Sequence, residues 1–236
     1  MSKNKIPFII HQTFYTTELP EEIIKIIIHN KKICPKFKFC FYNDKQCEIF
    51  IKTNFEDKVY KAYLKLNKAY GAMRADFFRY CVLYKIGGIY LDIKSMITKP
   101  LGLIIHPNDV CILDIPRNNL EPWRTNNPTY EQWLLIFASN HPYLKHMIDQ
   151  MVNDIENNYQ PIINGYKPNS KQKVLLLTGP DAFTRAINSY IKLNNITHHK
   201  NIDYLSFSKR HNCEYMRMYK DKKHYSQINL PLYNNS

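Results

Sequence analysis

Residues 69–101 have the sequence AYGAMRADFFRYCVLYKIGGIYLDIKSMITKPL, which contains three of the six glycines in the chain. From Ala72 to Lys85 apolar residues recur every three to four positions, which is the period of a helix with one buried stripe. The predicted stripe consists of Ala75, Phe78, Val82 and either Tyr84 or Ile86. Gly87 and Gly88 suit the end of a helix, because glycine adopts a left-handed or strained backbone at little cost. The β-branched and aromatic run that follows, Gly88–Ile93, predicts a buried strand.

The carboxyl end of this strand carries polar side chains. If the chain stays extended, Tyr90, Asp92 and Lys94 point to one side of the strand and the residues between them to the other. Open α/β sheets bind their ligands at the carboxyl ends of their strands. Asp92 and Lys94 are therefore candidates for a functional site.

The first third of the chain predicts a strand–helix–strand unit. Residues 6–12 and 36–42 have strand patterns, and residues 18–32 a helical one with Pro20 near its first turn. Residues 45–53 and 57–67 have helical patterns and lead into the central helix. This alternation of strands and helices predicts an α/β protein.

The remainder of the chain has weaker patterns. Residues 110–115 predict a strand, residues 131–138 a strand or the start of a helix, and residues 142–157 a helix. Residues 157–170 are polar, with prolines and a glycine, and predict a flexible insertion. Residues 180–193 predict a helix with proline at its first turn, and residues 197–236 form a basic C-terminal part.

Composition indicates a folded protein. The chain has 236 residues, 44% hydrophobic and 14% aromatic, and we expect a single domain over residues 1–236. No apolar run approaches the ~20 residues of a membrane span, and the first residues lack a signal-peptide pattern, so a soluble, cytoplasmic protein is expected. The six cysteines have no C-x-x-C spacing, which favours free thiols. The net charge of +13 favours phosphate-bearing ligands, an anionic membrane or nucleic acid, besides the alternative of an ordinary solvated surface.

The pattern R-x-D-x-x-R-Y-x-x-L-Y-x-x-G-G-I-Y-L-D over residues 74–92 resembles the central signature of the DxD glycosyltransferases of family 32. That family includes the initiating mannosyltransferases of fungi and the sugar transferases of capsular polysaccharides. The strand at residues 6–12 and the turn Thr178-Gly179-Pro180 are also similar to the family. The resemblance implies an α/β, GT-A-like fold, with a mostly parallel, Rossmann-related central sheet flanked by helices.

The resemblance also implies an enzyme, a retaining glycosyltransferase. Such an enzyme would move a hexose or N-acetylhexosamine from a UDP- or GDP-sugar to a hydroxyl of a glycan or protein acceptor, and nucleic acid would have no part in it. Sugar transfer requires that the charge growing on the leaving pyrophosphate be neutralised. In the family, two carboxylates at D-x-D spacing hold a divalent cation for this purpose, and Mn²⁺ or Mg²⁺ suits oxygen ligands.

The sequence departs from the family at the second carboxylate, because its motif is Asp92-Ile93-Lys94. In one interpretation Asp92 is still a metal ligand, helped by residues from elsewhere. In a second, Lys94 acts as a point charge on the phosphate and no metal is needed; in a third, the transferase is inactive. A lysine at about 4 Å from a divalent cation is repelled by about 4 kcal/mol per unit charge pair at an effective dielectric of about 20, so Lys94 would then point away from the metal.

Arg74 and Asp76 lie on the central helix, which is mostly apolar and must pack on the sheet, where unpaired charges are costly. The family resemblance assigns Asp76 to hydroxyls of the donor and Arg74 to the donor sugar or pyrophosphate. The alternative is an ordinary surface pair between Asp76 and Arg79, three residues apart. Tyr70 and Gly71, at the entrance to the helix, line the same pocket or belong to the core.

Two further segments are candidates for donor binding. His11 and Gln12 end the first strand, where a nucleotide base would lie, although a structural hydrogen bond is an equal alternative for His11. By resemblance, Thr178, Gly179 and Asp181 lie beside the transferred sugar. The alternative is that Thr178 or Asp181 caps the helix that follows.

Three other candidates have weaker support. Trp123 and Arg124 lie in a proline-bounded loop and suit a sugar ring, which predicts an acceptor site. His224 matches the position of a late histidine that helps the phosphate site in the family. A solvated basic tail is the alternative for His224.

Two rival functions remain open at this stage. One is a protein that binds nucleotide sugars or glycans but has lost catalysis through Lys94. The other is a nucleic-acid-binding protein, which would bind through the net charge of +13 and the basic, aromatic residues 209–225. This second hypothesis assigns no role to the glycine-containing signature at residues 74–92. The chain has no P-loop, no H-E-x-x-H and no G-x-S-x-G, which sets those chemistries aside.

Overall fold

The computed structural model describes residues 4–116, 128–163, 165, 167–210 and 225–234. These residues form seven α-helices and eight β-strands. The helices are α1 (Glu21–Ile33), α2 (Asp44–Asn54), α3 (Asp57–Lys65), α4 (Gly71–Ile86), α5 (Pro142–Glu156), α6 (Ser170–Leu177) and α7 (Pro180–Asn194). The strands are β1 (Ile9–Thr13), β2 (Lys38–Tyr42), β3 (Gly88–Leu91), β4 (Ser95–Ile97), β5 (Cys111–Asp114), β6 (Leu134–Phe137), β7 (Lys200–Ile202) and β8 (Ser208–Arg210).

Six strands form a central sheet in the order β2-β1-β3-β6-β5-β7. β1 pairs in parallel with β2 and β3, and β5 pairs in parallel with β7. β6 runs antiparallel to both β3 and β5. Five of the six strands therefore share one direction, and the prediction of a mostly parallel sheet flanked by helices is confirmed.

Each face of the sheet is covered by a hydrophobic cluster, and the residues of β6 alternate between the two. Leu135 and Phe137 belong to the cluster on the side of α4, α5 and α7. Leu134 and Ile136 belong to the cluster on the opposite side. Burial on both faces accounts for the continuous apolar run of this strand, which left a strand and the start of a helix equally open from the sequence.

Helix α4 is buried on nearly all sides, so the prediction of a single buried stripe is wrong. Every residue from Met73 to Leu83 except Ala75 is buried, and Ala75 was a predicted member of the stripe. The helix packs against β3 on one side and against α2 and α5 on others. A helix enclosed by other elements needs no polar face, which explains the weak helical periodicity of this segment.

Gly87 and Gly88 are required where α4 turns into β3. Both have positive φ angles, +74° and +100°, that side-chain-bearing residues rarely adopt. A Cβ atom on Gly87 would lie 2.6 Å from the backbone nitrogen of Ser139, and one on Gly88 would lie 2.6 Å from the backbone oxygen of Ile9. The glycine pair thus allows α4 to pack tightly against the sheet.

The chain turns directly after β3 and does not continue as an extended strand to Ile93. The backbone nitrogen of Ser95 donates a 2.8 Å hydrogen bond to the carbonyl of Asp92, which closes a turn over Asp92–Ser95. β4 then starts at Ser95 and pairs with β8 in a separate two-stranded sheet. The predicted alternation of Tyr90, Asp92 and Lys94 on one side of a strand therefore ends at Asp92.

The C-terminal part contains two strands that the sequence did not predict, β7 and β8. Residues 157–169 contain no α-helix among those described, and α6 begins at Ser170. Within the described ranges, no helix combines the length and the apolar character that crossing a bilayer would require.

Candidate functional site

One guanidinium group joins two carboxylates at the carboxyl end of β3. Arg79 Nη2 lies 2.9 Å from Asp76 Oδ1 and 3.4 Å from Asp92 Oδ1. The side chains of Asp76 and Arg79 are each 7% exposed, so this is a buried ion pair and not an ordinary surface pair. Asp92 follows the strand and is the most accessible of the three, with 20% of its side chain exposed. The site is thus a cluster of three charged side chains on α4 and in the turn after β3.

The guanidinium of Arg79 lies over an aromatic ring. Its central carbon is 4.4 Å from the centroid of the Tyr90 ring, and the Tyr90 hydroxyl is 2.8 Å from Thr13 Oγ1. Arg79 Nη1 donates a 2.5 Å hydrogen bond to the carbonyl of Gln132. Burial opposes the charge of Arg79, but Tyr90 and the two carboxylates outweigh it and hold its pKa above the ordinary value. Arg79 Nε is buried and has no hydrogen-bond partner among the described residues.

Asp76 and four other residues form a closed hydrogen-bonded circuit through side chains and two backbone carbonyls, here called the buried ring. Thr178 Oγ1 donates to Asp76 Oδ2 at 2.9 Å, and the Tyr80 hydroxyl lies 2.8 Å from the carbonyl of Thr178. The same hydroxyl lies 2.5 Å from Gln132 Oε1, and the Gln132 carbonyl accepts from Arg79. The ring therefore consists of Asp76, Arg79, Gln132, Tyr80 and Thr178.

The turn between α6 and α7 brings Thr178 to this ring. Gly179 has an ordinary negative φ, but a Cβ atom on it would lie 2.6 Å from Leu175 Cα, so only glycine lets the two helices approach. No side chain caps the start of α7, and Thr178 donates to Asp76 instead. The alternative of a capping role is thereby wrong for Thr178. Asp181 lies half-buried in the first turn of α7.

Lys94 lies in the turn after Asp92. It is half-buried and forms no ion pair with any described residue. Among those residues no group of three or more histidine, cysteine, aspartate or glutamate side chains is placed to hold a metal ion. Asp92 faces the cation of Arg79, and the second position of the motif is an ammonium group. The described residues therefore do not fit a divalent cation, whose preferred ligands are several oxygens.

Arg74 lies on a different side of α4 and does not reach the two carboxylates of the site. Its Nη2 is 3.0 Å from Glu48 Oε2, and its guanidinium lies 4.3 Å from the centroid of the Tyr63 ring. Residues two apart on a helix point in nearly opposite directions, which separates Arg74 from Asp76. Arg74 thus lies between α2, α3 and α4, and its contact with the donor stays a prediction.

Tyr70 and Gly71 are also placed away from the carboxylates. Tyr70 is 1% exposed, and its hydroxyl donates to the carbonyl of Leu230 at 2.7 Å, which fastens the C-terminal segment to the start of α4. Gly71 is exposed, and a Cβ atom on it would meet nothing within 4 Å. Of the two alternatives for Tyr70, the geometry favours core packing.

The two polar residues at the end of β1, His11 and Gln12, differ in their contacts. Both ring nitrogens of the fully buried His11 lie near protein groups: Nδ1 is 3.2 Å from the Tyr42 hydroxyl and Nε2 is 3.0 Å from the Gly87 carbonyl. Burial lowers the pKa of His11 to about 4. Gln12 is 3% exposed, and its Nε2 has no hydrogen-bond partner within the described part of the chain. Of the two, Gln12 is the residue with a polar atom that has no partner among the described residues.

Three predicted site residues cannot be placed. Trp123, Arg124 and His224 lie outside the described residues, so their assignment to acceptor and phosphate stays a prediction.

The structure adds residues that the sequence argument did not assign to the site. Arg79 was considered only as the partner in a surface pair, although its spacing three residues after Asp76 in the R-x-D-x-x-R pattern was a usable signal. Gln132 and Tyr80 gave no signal, because their roles depend on contacts with positions 52 or more residues away.

Comparison with known proteins is consistent with this site. Residues 20–112 match the family described as glycosyltransferase sugar-binding region containing DXD motif. The chain is 29% identical over 147 residues to inositol phosphoceramide mannosyltransferase 3 of Schizosaccharomyces pombe, a match that covers 61% of this chain and 36% of that protein. It is 27% identical over 186 residues to the initiation-specific alpha-1,6-mannosyltransferase of Candida albicans, covering 69% of this chain and 46% of the relative. The matched regions thus make up less than half the length of these relatives.

Solved structures resemble the fold. The ligand-free glycosyltransferase domain of the YGT toxin superposes with a TM-score of 0.62 at 9% identity and covers 88% of this chain and 81% of that domain. PaToxG glycosyltransferase superposes with a TM-score of 0.53 at 21% identity, over 80% of this chain and 72% of that one. These neighbours make the fold GT-A-like. Over residues 20–112, the chain is thus similar to the glycosyltransferases whose sugar-binding region contains the DXD motif.

Proposed function

We propose that this chain is a retaining glycosyltransferase, which moves a hexose or N-acetylhexosamine from a UDP- or GDP-sugar to a hydroxyl of a glycan or other acceptor. The observation that carries the proposal is the bridge from Arg79 to Asp76 and Asp92 at the carboxyl end of β3. A buried cation between two carboxylates is costly to maintain for stability alone, which favours a functional reason for it. The family match over residues 20–112 supports the same reaction class.

In this proposal two members of the buried ring, Arg79 and Asp76, bind the donor. Arg79 Nε has a hydrogen without a partner among the described residues, and a donor oxygen would accept it. Asp76, which Arg79 and Thr178 hold in a fixed orientation, would accept a hydrogen bond from a sugar hydroxyl. These contacts would orient the sugar before the glycosidic bond breaks.

Transfer would occur on one face of the sugar. Asp76 is held by Arg79 and Thr178, and Asp92 is paired with Arg79, which favours a mechanism in which neither carboxylate attacks the anomeric carbon. The bond between the anomeric carbon and the phosphate oxygen would break, with its electron pair left on the diphosphate. The acceptor oxygen would bond to the anomeric carbon from the same face, and its proton would pass to the leaving phosphate. Isolation of an enzyme glycosylated on an aspartate or glutamate would contradict this.

Lys94 would supply positive charge to the leaving diphosphate. It is half-buried, forms no ion pair within the described ranges, and lies two residues after Asp92. An ammonium group binds phosphate as a point charge, without demands on ligand geometry. We therefore propose transfer that does not depend on a metal; the alternative, a divalent cation bound by Asp92 with ligands from elsewhere, is decided by the experiment below.

The test is nucleotide release from a panel of UDP- and GDP-sugars, each offered with Mn²⁺ and with EDTA. The fungal relatives are named mannosyltransferases, so GDP-mannose heads the panel. We expect release in EDTA, and a loss of about 100-fold in Lys94→Ala, the magnitude of one transition-state charge contact. Lys99→Ala is the matched control, because Lys99 is exposed and lies outside the site. Release only with Mn²⁺ would instead place the cation on Asp92.

A second candidate function is binding of nucleotide sugars without transfer. The observation that favours it is Lys94 at the position of the second carboxylate. A binding protein would take up nucleotide in calorimetry and release none from any sugar donor, even with candidate acceptors. Restoration of release in Lys94→Asp with Mn²⁺ would identify the lysine as the cause.

A further inference from the structure

Gln132 reaches the site through two different oxygens. Its backbone carbonyl accepts a hydrogen bond from Arg79 Nη1 at 2.5 Å, and its side-chain Oε1 lies 2.5 Å from the Tyr80 hydroxyl. Gln132 is 7% exposed, and nothing in the reaction proposed above uses its side chain. A buried amide that serves no ligand needs another explanation, because burial of an amide without a hydrogen bond is costly.

Gln132 and its neighbour Trp133 contact both Arg79 and Asp92. The carbonyl of Gln132 holds Arg79, and the carbonyl of the next residue, Trp133, accepts a 2.8 Å hydrogen bond from the backbone nitrogen of Asp92. Rotation of the Gln132 carbonyl would therefore displace the guanidinium of Arg79, next to the residue that holds the backbone of Asp92. The side chain of Gln132 is the anchor that resists such a rotation on the side of α4.

Tyr80 is suited to be the other half of that anchor. It is fully buried, and its hydroxyl lies between the carbonyl of Thr178 at 2.8 Å and the amide of Gln132 at 2.5 Å. A hydroxyl has one proton to donate and two lone pairs to accept with. If the Tyr80 hydroxyl donates to the Gln132 side chain, the amide oxygen accepts its proton. If the hydroxyl donates to the Thr178 carbonyl instead, the amide NH₂ group can donate to the hydroxyl, so Gln132 can pair with Tyr80 in both cases.

We propose that Gln132 is a positioning residue, whose side chain fixes, through Tyr80, the backbone carbonyl that holds Arg79 in place. The proposal rests on the proposed function, because the guanidinium it positions belongs to the donor site. Displacement of a binding group by about 1 Å costs up to about 100-fold in rate, so loss of the anchor should be measurable.

The test uses the full chain and the variants Gln132→Met, Tyr80→Phe and the two combined. Methionine keeps the length and burial of glutamine but not its hydrogen bonds. We expect kcat for nucleotide release to fall about tenfold or more in each single variant. The double variant should show no further fall, because each of the three variants loses the same contact, that between the Tyr80 hydroxyl and the Gln132 side chain. Gln150→Met is the matched control: Gln150 lies on α5, and its Oε1 is buried without a partner among the described residues.

A second readout separates this proposal from the transferase proposal. The NMR signal of the Arg79 Nε–H group, identified by its loss in Arg79→Lys, should shift in Gln132→Met and in Tyr80→Phe but not in Gln150→Met. This signal is measurable even if the protein releases no nucleotide from any donor, in which case the transferase proposal fails and the positioning role is still tested. An unchanged signal with wild-type kcat, or single-variant losses in kcat that multiply in the double variant, would overturn the positioning role. Tyr80→Phe provides the test if Gln132→Met does not fold.

Discussion

The side-chain hydroxyl of Thr178 donates a 2.9 Å hydrogen bond to Asp76 Oδ2, although the two residues are 102 positions apart in the sequence. Both are buried, and Thr178 is fully so. The bond connects the turn between α6 and α7 to the first half of α4. It leaves Asp76 with one oxygen held by Thr178 and the other by Arg79, so the carboxylate has a fixed orientation before any ligand arrives.

Arg79→Lys should reduce nucleotide release more than it reduces stability. A lysine keeps the charge but cannot contact Asp76, Asp92 and the Gln132 carbonyl at once, as the guanidinium does. We expect kcat/KM to fall by about 100-fold or more, from the size of comparable losses of one positioned donor. Initial-rate kinetics over a range of donor concentrations measures this.

The control for Arg79→Lys is Arg185→Lys. Arg185 is 39% exposed on α7 and lies 3.7 Å from Asp154, so its replacement should leave the kinetics unchanged. Arg79→Ala is a poorer test, because it removes the cation beside the buried Asp76 and the partly exposed Asp92, at a cost of about 3–5 kcal/mol in the free energy of unfolding. Wild-type kcat/KM in a folded Arg79→Lys variant would remove Arg79 from the donor site.

Gly179→Ala and Gly71→Ala should change stability in opposite directions. The new Cβ at Gly179 would lie 2.6 Å from Leu175 Cα and 2.9 Å from the Leu175 carbonyl oxygen, so α6 must move away and the Thr178 contact with Asp76 weakens. We expect a loss of about 1–3 kcal/mol, typical of overpacking. At Gly71 the Cβ meets nothing within 4 Å and alanine favours the helix by up to about 1 kcal/mol. Urea unfolding of both variants measures this, and equal destabilisation would contradict it.

The sequence predicted most of the elements that rely on local signals. The central helix, the glycine pair and the following strand are confirmed as α4 and β3, because helix period, glycine and β-branched runs act over a few residues. The short strands β4, β7 and β8 were missed, since each has three residues and owes its existence to a partner elsewhere in the chain. Such strands have no period to detect.

The site was predicted in part for the same reason. Asp76 and Asp92 were both predicted as site residues, and the structure places each beside Arg79; their roles stay predictions. Two arginines of the same helix, Arg74 and Arg79, could not be told apart from sequence alone, because both are buried beneath aromatic rings and differ only in which element they face. That choice depends on Glu48 and Asp92, which are supplied by other elements.

Acid should destabilise the protein through His11. Burial lowers the pKa of His11 to about 4 in the folded protein, from the value of 6.5 expected in the unfolded chain. Between these two values the unfolded chain binds more protons, so the stabilisation is fully present above pH 6.5 and is lost as the pH falls toward 4. The loss amounts to about 1.4 kcal/mol per pH unit over this window. Free energies of unfolding from urea titrations at several pH values measure it.

His11→Asn isolates this contribution. The variant loses the hydrogen bonds to Tyr42 and Gly87 and is less stable at neutral pH, but it cannot take up the proton. The pKa of His141 is also lowered to about 4 by burial. Wild type contains both histidines and the variant only His141, so the part of the stability that these histidines contribute should fall with pH about twice as steeply in wild type. Other acid-titrating groups are common to both proteins and cancel in the difference. Parallel stability curves for wild type and His11→Asn would contradict the assignment.

Asn30→Ala should loosen the turn that carries Asp92 and Lys94. Asn30 is fully buried on α1; its Nδ2 donates to the Ser95 carbonyl at 2.9 Å and its Oδ1 accepts from the Ile97 nitrogen at 2.8 Å. The amide therefore binds β4 at its first and last residues, directly after the turn. Removal leaves a buried carbonyl and a buried N–H unpaired, for which we expect a loss of about 2–4 kcal/mol in the free energy of unfolding.

The functional effect of Asn30→Ala should exceed what stability alone explains. If β4 anchors the turn, nucleotide release well below the melting temperature should fall several-fold, because Asp92 and Lys94 are then less well positioned. Asn54→Ala is the matched control: Asn54 is exposed and bonds only to the Phe50 carbonyl of its own helix, so it should change stability by about 0.5 kcal/mol or less and leave the rate unchanged. A variant of Asn30 that is destabilised yet transfers at the wild-type rate would show that the turn holds its shape without β4. In that case the 2.8 Å bond from Ser95 to Asp92, which lies within the turn itself, would be its sufficient support.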